Sequence, residues 1–236
     1  MRLFLSSYRF GADPAPLMSL VNGPRSDGTT LRAGRVGVIA AAADAWPPTA
    51  RASAVVSDVM PLTRLGFAPE EVDLRDYIES DGHANANALE ERLTEFDMLW
   101  VRGGNTFVLR AQMARSGADH VIRKLLRNDS LVYAGYSAGA CVMAPTLHGL
   151  DSCDDPTEVV ATCGMNPLWD GLGVVSFAIV PHHPPAEPPV AGSSALLEDA
   201  AGVRRTVDAL RLAGIEYRTL TDDQAIVVNG DRTELV

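Results

Sequence analysis

No apolar run in this 236-residue sequence approaches the about 18 residues that a membrane-crossing helix needs. The opening segment Met1–Ser7 is also too short for a secretory leader, so a cytoplasmic protein is expected. Clusters of Lys or Arg are missing as well. With a formal net charge of −10, that absence argues against nucleic acid or an anionic membrane as partner and favours a small molecule. Cysteine is scarce: Cys141, Cys153 and Cys163 are odd in number and lack C-x-x-C spacing, which predicts reduced thiols and no zinc or redox centre. There is no internal repeat, no low-complexity tract and no Gly/Pro-rich linker, although residues 184–189 are locally rich in proline. The expectation is one domain spanning 1–236, with self-association as a homodimer left open. Hydrophobic residues at 47% and charged residues at 21% leave ample material for its core.

What is present is organised around Leu131–Met143, a buried-strand pattern running straight into a helix with one serine at the corner. Gly135-Tyr136-Ser137-Ala138-Gly139 has the G-x-S-x-G spacing of a nucleophile elbow, where the two glycines remove Cβ atoms that would collide in so tight a turn. Ser137 would project its hydroxyl from the sheet edge. The N–H of Ala138, at a helix start, would supply half of an oxyanion hole. The plainer alternative is a close-packed strand-to-helix junction with Ser137 as N-cap.

Elsewhere the pattern predicts strands at Arg2–Ser6, Arg35–Ala41, Val72–Leu74, Asp97–Arg102, Gly173–Pro181, Glu216–Leu220 and Ala225–Val228. Helices are predicted near Leu17–Val21 and over Thr49–Leu65, Asn85–Phe96, Thr106–Arg115, Asp119–Arg127 and Ser194–Ala213. This alternation implies an α/β fold: a mostly parallel sheet with helices on both faces and reactive groups at the carboxyl ends of its strands. Gly103-Gly104-Asn105 repeats the strand-turn-helix logic and is the natural source of the second oxyanion N–H, the alternative being an ordinary βα turn. The acidic stretch Gly149–Val159 reads as a solvated turn.

A serine hydroxyl needs a base, and the base an orienting group. Of the five histidines, only His182 and His183 stand at the end of an apolar strand pattern; His83, His120 and His148 do not. No histidine follows His183, which excludes the Ser, acid, His order of the α/β-hydrolases. If the strand continued, His182 and His183 would point to opposite faces and only one could reach Ser137.

Val101–Phe107, Tyr133–Ala140, Val180–His182 and Leu220–Val228 resemble, in order and spacing, the aspartyl dipeptidase (peptidase E) and cyanophycinase family of serine peptidases. The resemblance covers most of the chain. It implies a fold similar to class I glutamine amidotransferases, no metal or organic cofactor, Ser137 as nucleophile, His182 as base, and Gly104 and Ala138 as oxyanion donors. Asp222 stands where the aspartyl dipeptidases carry a glutamate, so Asp222 is assigned as the orienting acid with Asp154 or Asp155 in reserve. Arg102 stands where that branch has a third glycine.

The expected substrate is a short peptide, with Gly103, Asn105, His183 and Glu187 assigned to its binding. Aspartyl dipeptidases hold an acidic side chain with a cation drawn from the segment after the histidine. Here residues 184–202 contain no Lys or Arg, so strict aspartyl specificity is not expected unless Arg102, Arg204 or Arg205 folds inward. A cyanophycinase-type β-aspartyl peptidase, an amidase or esterase, and an inactive small-molecule binder are the other readings of the same residues.

Overall fold

The strands of the central sheet alternate their side chains between two hydrophobic layers, which is why they read as continuous apolar runs. In β1 (Arg2–Ser6), Leu3 and Leu5 enter one layer and Phe4 the other. The computed structural model describes residues 1–23, 28, 34–185 and 200–236. After β1 come α1 (Ala15–Asn22), β2 (Arg35–Ile39), α2 (Pro48–Arg64), β3 (Ala68–Glu71), α3 (Ala86–Leu93), β4 (Met98–Val101), α4 (Thr106–Ser116), α5 (Ala118–Arg127) and β5 (Val132–Tyr136). The remainder holds α6 (Ala138–Cys141), α7 (Glu158–Cys163), β6 (Ala178–Val180), α8 (Ala200–Leu212), β7 (Tyr217–Thr219), β8 (Ala225–Asn229) and β9 (Arg232–Leu235).

Seven strands form one sheet in the order β3-β2-β4-β5-β1-β8-β9. The first five are mutually parallel, and β8 and β9 add antiparallel at the far side. Leu17, Leu20 and Val21 of α1 and Leu62 of α2 pack on the layer containing Phe4, Val38 and Trp100. Side chains of α3, α4 and α5, among them Leu89, Leu109 and Ile122, cover the opposite layer with Leu3, Leu99 and Tyr133. The sheet is therefore mostly parallel with helices on both faces.

Two expectations are corrected. The strand placed at Val72–Leu74 lies earlier, at Ala68–Glu71, an edge strand that tolerates Pro69. Val72 and Leu74 are apolar because they are buried beyond its end, where Asp73 accepts from the Arg75 N–H and starts a 3₁₀ turn over Leu74–Tyr77. Of Gly173–Pro181 only Ala178–Val180 is strand; Leu172 to Val175 instead direct their N–H groups to carbonyls of Val142, Met143 and Ala144. The predicted last pair of strands separates: β7 joins β6 in a two-stranded parallel sheet while β8 joins β1. Residues 194–199 of the predicted last helix lie outside the described residues; its remainder is α8.

The tightest packing lies where β5 meets α6. A Cβ on Gly139 would stand 2.1 Å from the Val101 carbonyl oxygen, far inside van der Waals contact and against backbone that cannot rotate away. Gly139→Ala is expected to destabilise the fold by about 3 kcal/mol or more. Denaturant unfolding checks this, and an unchanged midpoint with an unchanged slope would contradict the packing described.

Candidate active site

Ser137 leaves β5 with φ 50° and ψ −118°, a conformation that L-residues hold only where neighbours impose it. Its N–H donates to the Ser6 carbonyl of β1 at 3.1 Å. On the other side the turn presses against β4 through Gly139, whose carbonyl accepts from the Tyr133 hydroxyl at 2.7 Å. A Cβ on Gly135 would lie 2.4 Å from that same carbonyl oxygen, so both glycines of the motif are sterically required. α6 has only four residues, too short for the helix dipole invoked from sequence to carry weight. The local N–H of Ala138 remains. Among the described residues neither it nor the N–H of Gly104 is given to an acceptor in the chain.

The turn after β4 lies against the serine. A Cβ on Gly103 would come within 2.8 Å of the Ser137 Cβ and 3.3 Å of its Oγ. Gly104 has φ 143°, and a Cβ there would meet the Ala42 carbonyl oxygen at 2.5 Å. Asn105 is not available to a substrate. Its Oδ1 caps α4 by accepting from the N–H groups of Phe107 and Val108, and its Nδ2 donates to the Asp155 carbonyl and to Glu158 Oε2, both at 2.8 Å.

β6 ends at Val180, and His182 follows with φ 57°. The strand alternation argument for the two histidines therefore does not apply, because the chain has left the extended conformation. The side chains part nonetheless. His182 Nδ1 lies 2.7 Å from Asp222 Oδ1, and its Nε2 lies 3.0 Å from Ser137 Oγ. With Nδ1–H donating to the carboxylate, Nε2 is left as acceptor for the serine hydroxyl. His183 turns elsewhere: its ring meets the Pro184 carbonyl at 3.0 Å and its backbone N–H donates to Leu220 O. The remaining assignment, Glu187, lies outside the described residues.

The acidic stretch is not simply a solvated turn. Asp154 Oδ2 accepts from the Thr106 N–H at 2.9 Å and, with Glu158, fastens the segment onto the start of α4. Asp155 is exposed, and Oδ1 accepts from the N–H and hydroxyl of Thr157. A cavity of about 30 Å³ opens beside Ser137, walled by Thr106, Cys141, Cys153, Asp154, His182 and Thr206 among others, with no Lys or Arg among its described lining residues. Arg204 and Arg205 are exposed on α8, Arg205 with its Nη2 donating to the Ser152 carbonyl at 3.4 Å. Arg102 points toward the α2 side, with Nε 3.4 Å from the buried Asp58 Oδ2 and the guanidinium 5.2 Å from the centre of the Trp46 ring. Burial holds the Asp58 carboxyl above its ordinary pKa although the Arg102 charge and the Tyr136 hydrogen bond pull it down.

One contributor has no signal in the sequence. Ser7, fully buried just after β1, contacts both Asp222 and His182. Ser6-Ser7 at a strand end reads as ordinary turn chemistry, and only tertiary folding brings it beside residues some two hundred positions away.

The model of peptidase family S51 matches residues 45–236. Among curated proteins, the "Uncharacterized peptidase Lmo0363" of Listeria monocytogenes is 32% identical over 122 residues, covering 52% of this chain and 54% of the relative. "Peptidase E" of Streptomyces coelicolor is 36% identical over 97 residues, 41% of this chain and 36% of that protein. The "Probable alpha-aspartyl dipeptidase" of Drosophila melanogaster is 34% identical over 94 residues, 40% and 36% of the two chains. The matches thus span about half the length of the first relatives or less. In fold, the chain is similar to the crystal structure of a "Putative Peptidase E Protein" from Listeria monocytogenes EGD-e, with TM-score 0.70 at 22% identity over 100% of this chain and 97% of that one. A peptidase from an acI-B1 Actinobacterium aligns with TM-score 0.62 at 14% identity, covering 100% and 86%.

The Asp222 carboxyl carries a pH signature. Burial would raise its pKa, but the hydrogen bond and charge of His182, joined by the Ser7 hydroxyl, bring it below the ordinary value. A carboxyl depressed in the folded state contributes stability that is present above the unfolded pKa, about 3.9, and is lost as pH falls through the folded value. The stability gap between the wild type and Asp222→Asn should accordingly close as pH drops below about 3.9. Urea unfolding at a series of pH values reads this directly, and a gap that widened on acidification would reverse the sign argued here.

Proposed function

The chain belongs to peptidase family S51, and on that premise we propose that it is a serine peptidase hydrolysing short peptides through an acyl-enzyme at Ser137. The observation that carries this reading is the continuous contact from Ser137 Oγ to His182 Nε2 at 3.0 Å and from His182 Nδ1 to Asp222 Oδ1 at 2.7 Å. In this reading Ser137 Oγ attacks the scissile carbonyl carbon while His182 Nε2 takes its proton. Asp222 keeps the imidazole in the required tautomer and stabilises the imidazolium that forms. The N–H groups of Gly104 and Ala138 receive the developing oxyanion. His182 returns the proton to the departing amine; it then activates a water molecule that releases the acyl group. Every proton in this cycle moves through side chains of the chain, so the reading includes no metal or cofactor.

The substrate side of the proposal follows from the charges of the described residues around Ser137. A carboxylate withdrawn from water needs a cation, preferably an arginine fork. The described lining residues include no Lys or Arg; Arg205 is held on the Ser152 carbonyl, and Arg102 is engaged with Asp58. We assign a preference for neutral or basic residues at the first position, with acidic groups receiving the substrate amine. A cytoplasmic location belongs to the same proposal; among the described residues no helix is long and apolar enough to cross a membrane.

Ser137→Ala should lower kcat by about 10³-fold or more with the fold intact. A fluorophosphonate should label Ser137 and no other residue. Full activity in the variant would end the acyl-enzyme reading. In a panel of dipeptides and aminoacyl-arylamides carrying Asp, Leu, Ala or Arg first, Leu, Ala or Arg should lead. An aspartyl advantage above about tenfold, or ~1.4 kcal/mol in the transition state, would overturn the argument from the missing cation. A lead for β-aspartyl-arginine would move the enzyme to the cyanophycinase branch.

A further inference from the structure

Ser7 is the first residue after β1, and its side chain is completely buried at the sheet edge. Its N–H donates to the Gln224 carbonyl at 3.1 Å, joining it to the turn that carries Asp222. Its Oγ lies 2.9 Å from Asp222 Oδ1, the same oxygen that meets His182 Nδ1, and 2.7 Å from the backbone nitrogen of His182. A hydroxyl has one proton and two lone pairs; an ionised carboxylate can only accept, and an amide N–H can only donate. The polarity is therefore fixed: Ser7 donates to Asp222 and accepts from His182. The three residues close a ring of hydrogen bonds, Ser7 Oγ to Asp222 Oδ1, Asp222 Oδ1 to His182 Nδ1, and the His182 N–H back to Ser7 Oγ.

Two features make this ring more than a buried serine finding partners. His182 has a left-handed backbone, φ 57°, a conformation a non-glycine residue keeps only when its surroundings hold it. The N–H of that strained residue is the one Ser7 accepts. Asp222 is about a third exposed at its side chain, so burial alone does not fix it, and the Ser7 hydroxyl is the second hydrogen bond on the oxygen facing the imidazole.

We propose that Ser7 is a positioning residue for the proposed peptidase reaction: its hydroxyl aligns the Asp222 carboxylate and the His182 backbone so that Nε2 meets Ser137 Oγ. Ser7 touches no reacting atom; it acts through the base and its acid. The inference rests on the triad reading above, and the test separates the two.

Ser7→Ala, Ser7→Thr and Ser7→Val are compared with the wild type and with Ser137→Ala, using a dipeptide panel and the rate of fluorophosphonate labelling. Thr and Val are nearly isosteric, so any steric penalty from the added methyl groups falls on both and their ratio reports the hydroxyl alone. A hydrogen bond to a charged group corresponds to roughly a 10- to 100-fold effect. Ser7→Ala should accordingly lower kcat and the labelling rate by that factor while KM stays within about threefold, and Ser7→Thr should exceed Ser7→Val by about tenfold or more. In an Asp222→Ala background, Ser7→Ala should cost less than about threefold further in labelling rate, because residues acting as a unit are not additive. Equal activity of Ser7→Thr and Ser7→Val, or full additivity with Asp222→Ala, would overturn the positioning role while leaving the triad standing. An undiminished Ser137→Ala would instead remove the triad reading itself.

Discussion

The site depends on one constraint, the clamping of the Ser137 turn between two parallel neighbours. On one side the Ser137 N–H is held by the Ser6 carbonyl of β1; on the other, Gly139 sits against the Val101 carbonyl of β4. A serine on a free loop would relax to a negative φ, since the left-handed region costs a non-glycine residue of order 1–3 kcal/mol. Here both flanking strands would have to move for that relaxation to occur. The burial of β4 and β5, all of whose residues lie in the core, makes such movement costly. The strain that exposes the hydroxyl is therefore held in place by the hydrophobic packing of the sheet.

That dependence explains why the functional groups come from separate elements yet meet. Parallel strands deliver their carboxyl ends to one edge. β1 brings Ser7, β4 brings Gly103 and Gly104, and β5 brings Ser137. His182 and Asp222 arrive differently, from the ends of β6 and β7, which pair only with each other. The small parallel pair sets His182 and Asp222 side by side at its carboxyl end. The Ser7 hydrogen bonds tie this second unit to the first, together with Ile179 and Leu220 packed in the layer of Leu3 and Tyr133 and the Cys141 thiol on the Ile179 carbonyl.

Much of the arrangement was legible in the sequence for identifiable reasons. β1, β4 and β5 read as continuous apolar runs because they are buried on both faces, and α5 before β5 keeps its buried residues on one side. The Gly-x-Ser-x-Gly spacing survived because sterics at Gly135 and Gly139 admit no side chain. The errors fall where burial and secondary structure come apart. Val72, Leu74 and the Leu172–Val175 segment are apolar without being strands: Val72 makes a last bond to the Val38 carbonyl of β2, Leu74 opens a 3₁₀ turn, and Leu172–Val175 donate to carbonyls just past α6. Asn105 read as a ligand contact because Gly-Gly-Asn looks the same whether the amide faces solvent or caps a helix. Asp154 read as solvated because nothing local announces that the Thr106 N–H lies opposite it.

The shorter acid is the remaining question of geometry. Aspartate is one methylene shorter than glutamate, so on a given backbone its carboxylate is withdrawn by about 1.5 Å. The turn that carries Asp222 is held close to the sheet edge. The segment following β1 draws the Thr221–Gln224 turn onto the sheet edge through three contacts: the Ser7 N–H on the Gln224 carbonyl, the Ala12 N–H on the Asp223 carbonyl, and Gly11, where a Cβ would sit 2.9 Å from that same Asp223 oxygen. Gly11 has φ 68°, so the close approach uses a residue that has both the freedom to turn and no side chain to obstruct. With the turn held this near, an aspartate reaches His182 at 2.7 Å. A glutamate on the same backbone would have to fold back on itself to make the same bond. The reach of Asp222 to His182 therefore depends on the Ser7–Ala12 segment that holds its turn in place.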